Sequence, residues 1–220
     1  MTVATCAGTL PDGSTASRRT APRCARAATL WIAFALAVAA VTTARANGLA
    51  GAAPPAAVAA AIADARLSGD GVLRWFGLKV YEARLWVDRE GLDPLRFARA
   101  PFALDLRYAR ALQGEAIART SLEEMTRLGV GDPQRRDAWF AAMRRIFPDV
   151  EDGDRLTGVN RPGGGVQFYR NDRNIGGVSD PDFAAAFFAI WLDPRTNAPE
   201  LRDRLLDRAQ APTPTAGVPR

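Results

Sequence analysis

Apolar and polar residues alternate along the chain directly after two closely spaced glycines, Gly69 and Gly71. The alternating run is rich in β-branched and aromatic residues, and Gly77 interrupts it. Such a pattern predicts two antiparallel strands, roughly 70–76 and 78–88, that meet at a bend or bulge.

The period of the pattern then changes twice. Strict alternation predicts a third strand over 102–109. Apolar residues at helical spacing follow, and they predict helices over 114–130 and 133–147. Gly129 and Pro148 are suitable residues to end these two helices.

The last third of the chain repeats this order of strands and then helices. Three short strands are predicted at 154–160, 166–169 and 175–178, with Gly- and Asn-rich turns between them. Two helices follow, over 181–192 and 199–208, and the first is apolar almost all round. The order β-β-β, α-α, β-β-β, α-α predicts an α+β fold, in which an antiparallel sheet packs against a layer of helices.

The N-terminal part reads as an export signal rather than as part of the fold. Four arginines precede an apolar run of about 15 residues, 27–41, which is short for a membrane span of roughly 20. Ala44-Arg45-Ala46 has the small-x-small form of a cleavage site. We expect 1–46 to be a signal peptide, cleaved near Ala46 on export to the periplasm, which leaves no membrane-spanning segment. The alternative is an uncleaved N-terminal anchor.

The rest of the chain divides by composition into three parts. An Ala-, Gly- and Pro-rich stretch, 47–66, is expected to be a flexible lead with one short helical run after Pro55. One domain is predicted over 67–208, and the Pro- and Thr-rich tail, 209–220, is expected to be disordered. The whole chain carries a net charge of +5, but the predicted signal peptide holds five arginines and one aspartate, so the exported part carries +1. No basic cluster with exposed aromatics remains, and nucleic acid is not an expected partner.

The predicted exported part of the chain contains neither histidine nor cysteine. The chain has no His, and its two cysteines, Cys6 and Cys24, lie in the predicted signal peptide. This composition excludes His-dependent nucleophilic catalysis and argues against a transition-metal site. Any chemistry must use Arg, Tyr, Asp, Glu or Lys79, which is the single lysine of the chain.

Several short blocks resemble the chalcone isomerase-like family, in particular its bacterial exported branch. The first hairpin carries the clearest ones, which are Gly69-x-Gly71, Lys79-Val80-Tyr81 and Leu85-Trp86. Further similar blocks are Tyr108 to Gly114, Phe147 to Val150 with Gly153-Asp154, and Phe187 to Leu192 followed by Thr196, Pro199, Leu201 and Arg202. The resemblance implies an open-faced β-sandwich, with an apolar cleft between a long antiparallel sheet and its helices.

The plant enzymes of this family close a chalcone to a flavanone, and the resemblance implies where their reactive groups would fall. Their cationic arginine corresponds to Leu73, and Arg74 lies one residue further on, so it reaches the cleft only if a bulge redirects it. The enzymes' other polar positions correspond to Tyr81, Ile117, Glu124 and a position near Ile190. Since several of these lack the enzymatic residue type, the fatty-acid-binding, non-catalytic relatives are the better analogy.

We therefore expect a domain that binds a small apolar molecule, fatty-acid-like or phenolic, without turnover. The candidate ligand-binding residues are Arg74, Lys79, Tyr81, Tyr108, Phe187 and Trp191. Two alternatives remain: an intramolecular lyase or isomerase that uses Arg74 and Tyr81 on a phenolic or enone substrate, and an envelope protein that binds a partner but no ligand. No cofactor and no metal are expected, and the sequence predicts no particular oligomeric state.

Overall fold

The computed structural model describes residues 53–210. The predicted signal peptide, the first residues of the predicted lead and the tail from residue 211 lie outside this range. No helix of residues 53–210 combines the length and the apolar character needed to cross a membrane.

A single six-stranded sheet forms the centre of the fold. Its strands are β1 (Arg66–Trp75), β2 (Leu78–Val87), β3 (Phe102–Tyr108), β4 (Arg155–Arg161), β5 (Gly165–Arg170) and β6 (Arg173–Val178). They are antiparallel throughout, and their order in the sheet is their order in the chain. Three of the connections are short turns, whereas a loop with a 3-10 helix, 88–101, joins β2 to β3 and two helices are inserted between β3 and β4.

Five α-helices and a short 3-10 helix accompany the sheet. They are α1 (Ala56–Ala61), the 3-10 helix (Phe97–Arg99), α2 (Gly114–Arg127), α3 (Pro133–Ile146), α4 (Pro181–Leu192) and α5 (Pro199–Leu205). Asp132 and Asp180 cap α3 and α4, because each carboxylate accepts a 2.9 Å hydrogen bond from a backbone N–H of the first turn. A proline at the first position of each helix fits the same start signal.

Strand alternation separates the two faces of the sheet. On one face, apolar side chains of β2 to β5 join those of helices α2 to α5 in one large core. Helix α4 is buried most deeply, because eight of its 12 residues are buried. The other face is covered only in part: α1 packs Val58 and Ile62 against Trp86 and Val159. The rest of that face carries charged side chains.

The predicted α+β fold, an antiparallel sheet with helices packed on it, is confirmed. The structure differs from the sequence-based expectation at the N-terminal edge. Strand β1 begins at Arg66, four residues before the predicted start, whereas α1 begins at Ala56, directly after Pro55, where the sequence predicts a short helical run. Both Val58 and Ile62 are nearly fully buried, so this part of the lead is held to the sheet by apolar contact.

Candidate ligand site between the sheet and the helices

The Gly-x-Gly motif lets α5 approach β1 closely. A Cβ atom added to Gly69 would lie 1.9 Å from the carbonyl oxygen of Arg204, and one added to Gly71 would lie 2.6 Å from the Leu201 Cδ1. Both glycines therefore have a packing role at the edge of the layer. Ser68 strengthens the same contact, since its hydroxyl donates a 2.7 Å hydrogen bond to the Leu205 carbonyl.

Arg74 points away from the space between the sheet and the helices. A register shift does occur between Leu73 and Arg74, as the resemblance required, but Arg74 remains exposed. Its guanidinium donates a 3.3 Å hydrogen bond to the Gly77 carbonyl within the hairpin. Leu73, directly opposite Tyr81, is the residue of this pair that packs against the core.

Lys79 also pairs with another residue of the hairpin. Its ammonium lies 2.5 Å from the Glu82 carboxylate, and both side chains are about one-third exposed. The hydrogen bond from Lys79 lowers the pKa of Glu82, so this carboxylate stays ionised. Lys79 therefore provides a partly solvated ion pair at the edge of the layer.

Tyr81, Tyr108 and Trp191 come together inside the layer. The indole N–H of Trp191 donates a 2.9 Å hydrogen bond to the Tyr81 hydroxyl. The rings of Tyr81 and Tyr108 meet edge to face, with their centroids 5.8 Å apart. Burial raises the pKa of both phenols well above their ordinary value. Both are therefore neutral at physiological pH, and neither is suited to act as a general base there.

Phe187 lies at the centre of an aromatic cluster that fills the middle of the layer. Its ring centroid is 5.6 Å from that of Phe183, 5.1 Å from that of Phe168 and 5.4 Å from that of Trp191. Phe147 and Phe188 also contact it. Large aromatic side chains therefore fill the centre of the layer.

The positions that the resemblance singles out lie in or beside the same core. Leu73 and Tyr81 are paired across β1 and β2, and the charge of Glu124 on α2 contributes to the raised pKa of Tyr81. Ile117 on α2 and Ile190 on α4 are half-buried and pack against the same core. These positions are mostly apolar, and the one that the resemblance assigns to the enzymes' cation is Leu73, which packs against the core.

The opposite face of the sheet holds a pocket of about 390 Å³ that the sequence analysis missed. Its charged lining residues are Glu82, Arg84, Asp105, Arg107, Arg155 and Asp172. Three guanidinium groups face three carboxylates, so the pocket is close to neutral overall. Arg155 links two of the carboxylates, with its Nη2 2.5 Å from Asp172 and its Nε 3.8 Å from Asp105.

Asp105 is the unusual residue of this pocket, because it is only 3% exposed. Its carboxylate accepts a 2.6 Å hydrogen bond from the Thr157 hydroxyl. Desolvation nevertheless dominates and raises the pKa of Asp105 above its ordinary value. The described part of the chain holds no cluster of three or more His, Cys, Asp or Glu side chains arranged to bind a metal ion.

Comparison with known proteins agrees with this architecture. The family described as chalcone isomerase-like matches residues 46–207, which is well over half of the chain. The chain belongs to the chalcone isomerase-like family. A crystal structure of an Arabidopsis thaliana fatty-acid binding protein is similar in fold, with a TM-score of 0.52 and 12% sequence identity over 67% of this chain and 89% of that one. No curated protein matches the chain in sequence.

Four of the six candidate residues from the sequence lie together between the sheet and the helices, and Arg74 does not. The four are Tyr81, Tyr108, Phe187 and Trp191. The charged pocket was missed, although alternation along β3 does place Asp105 on the face away from the helices. What the pattern does not reveal is that neighbouring strands bury this carboxylate.

Proposed function

We propose that this protein is an exported chalcone isomerase-like domain that binds a small apolar molecule with an acidic head group, without chemical turnover. One observation carries the proposal. Leu73 packs into the layer opposite Tyr81, where the resemblance places the catalytic cation, while Arg74 lies in solvent. The site thus keeps an apolar lining and loses the charge that would stabilise an enolate.

The absence of turnover follows from the chemistry that cyclisation needs. Adding a phenoxide to an enone requires a cation beside the developing negative charge in a dry site. The tyrosines cannot replace it, because burial keeps Tyr81 and Tyr108 neutral and Tyr81 already accepts a hydrogen bond from Trp191. These contacts support binding rather than catalysis.

The surroundings of the site support an amphipathic ligand. An apolar tail would lie along Leu73 and Val80, which are half-buried beside the core. An acidic head group would have to extend out of the layer at the hairpin, where the solvent-exposed Arg74 guanidinium, whose described hydrogen bond goes to a carbonyl, would pair with it. A ligand held in this way stays near the hairpin, since Phe183 and Phe187 fill the centre of the layer. The similarity in fold to a fatty-acid binding protein is consistent with a ligand of this class.

Native mass spectrometry of the protein purified from its own cell envelope tests this proposal. We expect an additional bound mass that organic extraction releases as a small apolar acid. Leu73→Glu places a carboxylate among the apolar lining and should abolish the bound mass. Val72→Glu is the matched control, because the neighbouring Val72 is 38% exposed and should tolerate the charge. Wild-type protein without bound mass, or equal retention by both variants, would contradict the proposal.

Export is tested on the same preparation. We expect the purified chain to begin at Asn47, directly after the predicted cleavage site at Ala46. N-terminal sequencing and cell fractionation measure this directly. A chain that retains the segment 27–41 would instead support the anchored alternative.

A further inference from the structure

The tip of the β1–β2 hairpin exposes large apolar side chains to solvent. Trp75 is 66% exposed, Phe76 is 89% exposed and Leu78 is 58% exposed. Three of the five exposed large apolar residues within 53–210 thus lie in four consecutive positions of the chain. The Trp75 and Phe76 rings contact each other edge to face, with centroids 5.1 Å apart. Together these three residues form a convex apolar tip.

Phe76 strains the backbone at the tip. Phe76 has φ +47° and Gly77 has φ +78°. A two-residue turn with both φ values positive favours Asn or Asp before Gly, because a bulky side chain in the left-handed region is costly. Phe76 therefore lowers stability at a position where it also contributes no core packing. This combination points to a role for the ring outside the domain.

Two arginines lie beside the base of the tip. Arg74 is within the hairpin, and Arg110 follows Ala109, whose backbone N–H donates a hydrogen bond to the Val80 carbonyl of the hairpin. Neither arginine forms an ion pair with another residue of 53–210, whereas the nearby Glu82 is paired with Lys79. The surroundings of the tip are therefore positively charged.

We propose that the tip formed by Trp75, Phe76 and Leu78 docks onto an anionic lipid surface. The aromatic rings would enter the boundary between head groups and acyl chains, where Trp is favoured, and Arg74 and Arg110 would face the phosphates. A convex tip of three side chains suits a fluid surface. It is too small to supply the roughly 800 Å² per partner that a stable protein interface buries. This inference does not depend on the proposed ligand.

Co-flotation of the full chain with lipid vesicles tests the proposal. The vesicles are made either of phosphatidylcholine alone or of equal parts phosphatidylcholine and phosphatidylglycerol. Phe76→Asn should lower partitioning to the anionic vesicles about tenfold, since it removes one buried aromatic side chain from the membrane boundary. The same substitution should raise the thermal midpoint of unfolding, because it relieves the positive φ. A loss of binding cannot then be attributed to misfolding.

Leu95→Ser is the matched control. Leu95 is 80% exposed, and it lies in the loop between β2 and β3 rather than at the tip. This variant should partition as the wild type does. All the proteins compared begin at the same N-terminal residue, so that the apolar segment 27–41 contributes equally or not at all. The proposal is overturned if Phe76→Asn leaves partitioning unchanged, or if the wild type binds both vesicle compositions equally. It is also overturned if Phe76→Asn abolishes self-association in the absence of lipid while vesicle binding persists.

Discussion

The indole of Trp191 on α4 donates a 2.9 Å hydrogen bond to the hydroxyl of Tyr81 on β2, and both residues are buried. This bond ties the helical layer to the sheet at the hairpin end of the candidate site. It also engages the Tyr81 hydroxyl, which the family resemblance assigns to one of the enzymes' polar positions. The hydrogen bond thus holds α4 against the sheet and leaves this hydroxyl occupied.

Removing the Tyr81 hydroxyl should therefore cost stability. In Tyr81→Phe the Trp191 N–H stays buried without an acceptor, and we expect the free energy of unfolding to fall by about 1–3 kcal/mol. Tyr108→Phe is the control, because the Tyr108 hydroxyl has no hydrogen-bond partner within 53–210, and it should cost clearly less. Urea unfolding of both variants measures the difference. Equal losses would show that the hydrogen bond contributes nothing.

The Gly-x-Gly motif yields a second prediction, on packing. Gly69→Ala forces a methyl group against the Arg204 carbonyl, at 1.9 Å from its oxygen, and we expect α5 to be displaced at a cost of about 3 kcal/mol. Gly163→Ala is the comparison, since its φ is +73° and nothing lies within 4 Å of the added atom. It should cost only about 1 kcal/mol, the strain of the left-handed conformation. Thermal unfolding of both variants tests this, and a Gly69→Ala protein as stable as Gly163→Ala would contradict the packing role.

The sequence pattern predicted the strands and helices well because each buries one face with a clear period. Strict alternation identified β3, the change to helical spacing marked α2, and α4 was recognised as a helix that is apolar almost all round. The burial of side chains on the sheet face away from the helices could not be predicted from the pattern. Alternation places Asp105 away from the helices, but its burial depends on Arg84 and Arg155, which lie on neighbouring strands and come near only once the register is set.

The direction of Arg74 was equally hard to predict, for a local reason. One residue of shift reverses the face to which a strand side chain points, and a register shift does lie between Leu73 and Arg74. The resemblance indicated where a register shift would matter, but not how the shift would orient the Arg74 side chain. In the structure Leu73 stays with the core and Arg74 stays in solvent.

Asp154 yields a prediction for acid conditions. The Asn171 side chain, the Glu151 backbone N–H and Arg170 all hydrogen-bond its carboxylate and lower the pKa of Asp154 to about 2. Because the folded state holds this proton less tightly than the unfolded state, the stability it contributes is present above pH 3.8 and is lost as pH falls through about 2. Asp154→Asn should lower the free energy of unfolding by about 1–2 kcal/mol at neutral pH.

Urea unfolding of the wild type and Asp154→Asn over a range of pH gives the check. The two stability curves should converge as the pH approaches 2. Asp152→Asn is the control, since Asp152 is exposed in the same loop, and its curve should follow the wild type. A constant difference between the wild type and Asp154→Asn at every pH would mean that charge is not the cause.

Asp105 should show the opposite pH dependence. Burial raises the pKa of Asp105, so the folded state binds this proton more tightly than the unfolded state does. Its contribution is therefore fully present below the ordinary carboxylate pKa of 3.8, and it is lost as pH rises through the higher pKa of the folded state. Asp105→Asn mimics the protonated form in shape and does not titrate. The variant should therefore gain stability relative to the wild type as the pH is raised from acid to neutral.

Thr157→Val sharpens this test, because it removes the hydroxyl whose 2.6 Å hydrogen bond favours the ionised form of Asp105. In this variant the pKa of Asp105 should rise further, and the loss of stability with rising pH should extend to higher pH than in the wild type. In the double variant with Asp105→Asn that extension should disappear. If Asp105→Asn and the wild type instead keep the same difference at every pH, the Arg84 and Arg155 charges offset the desolvation of this carboxylate in full.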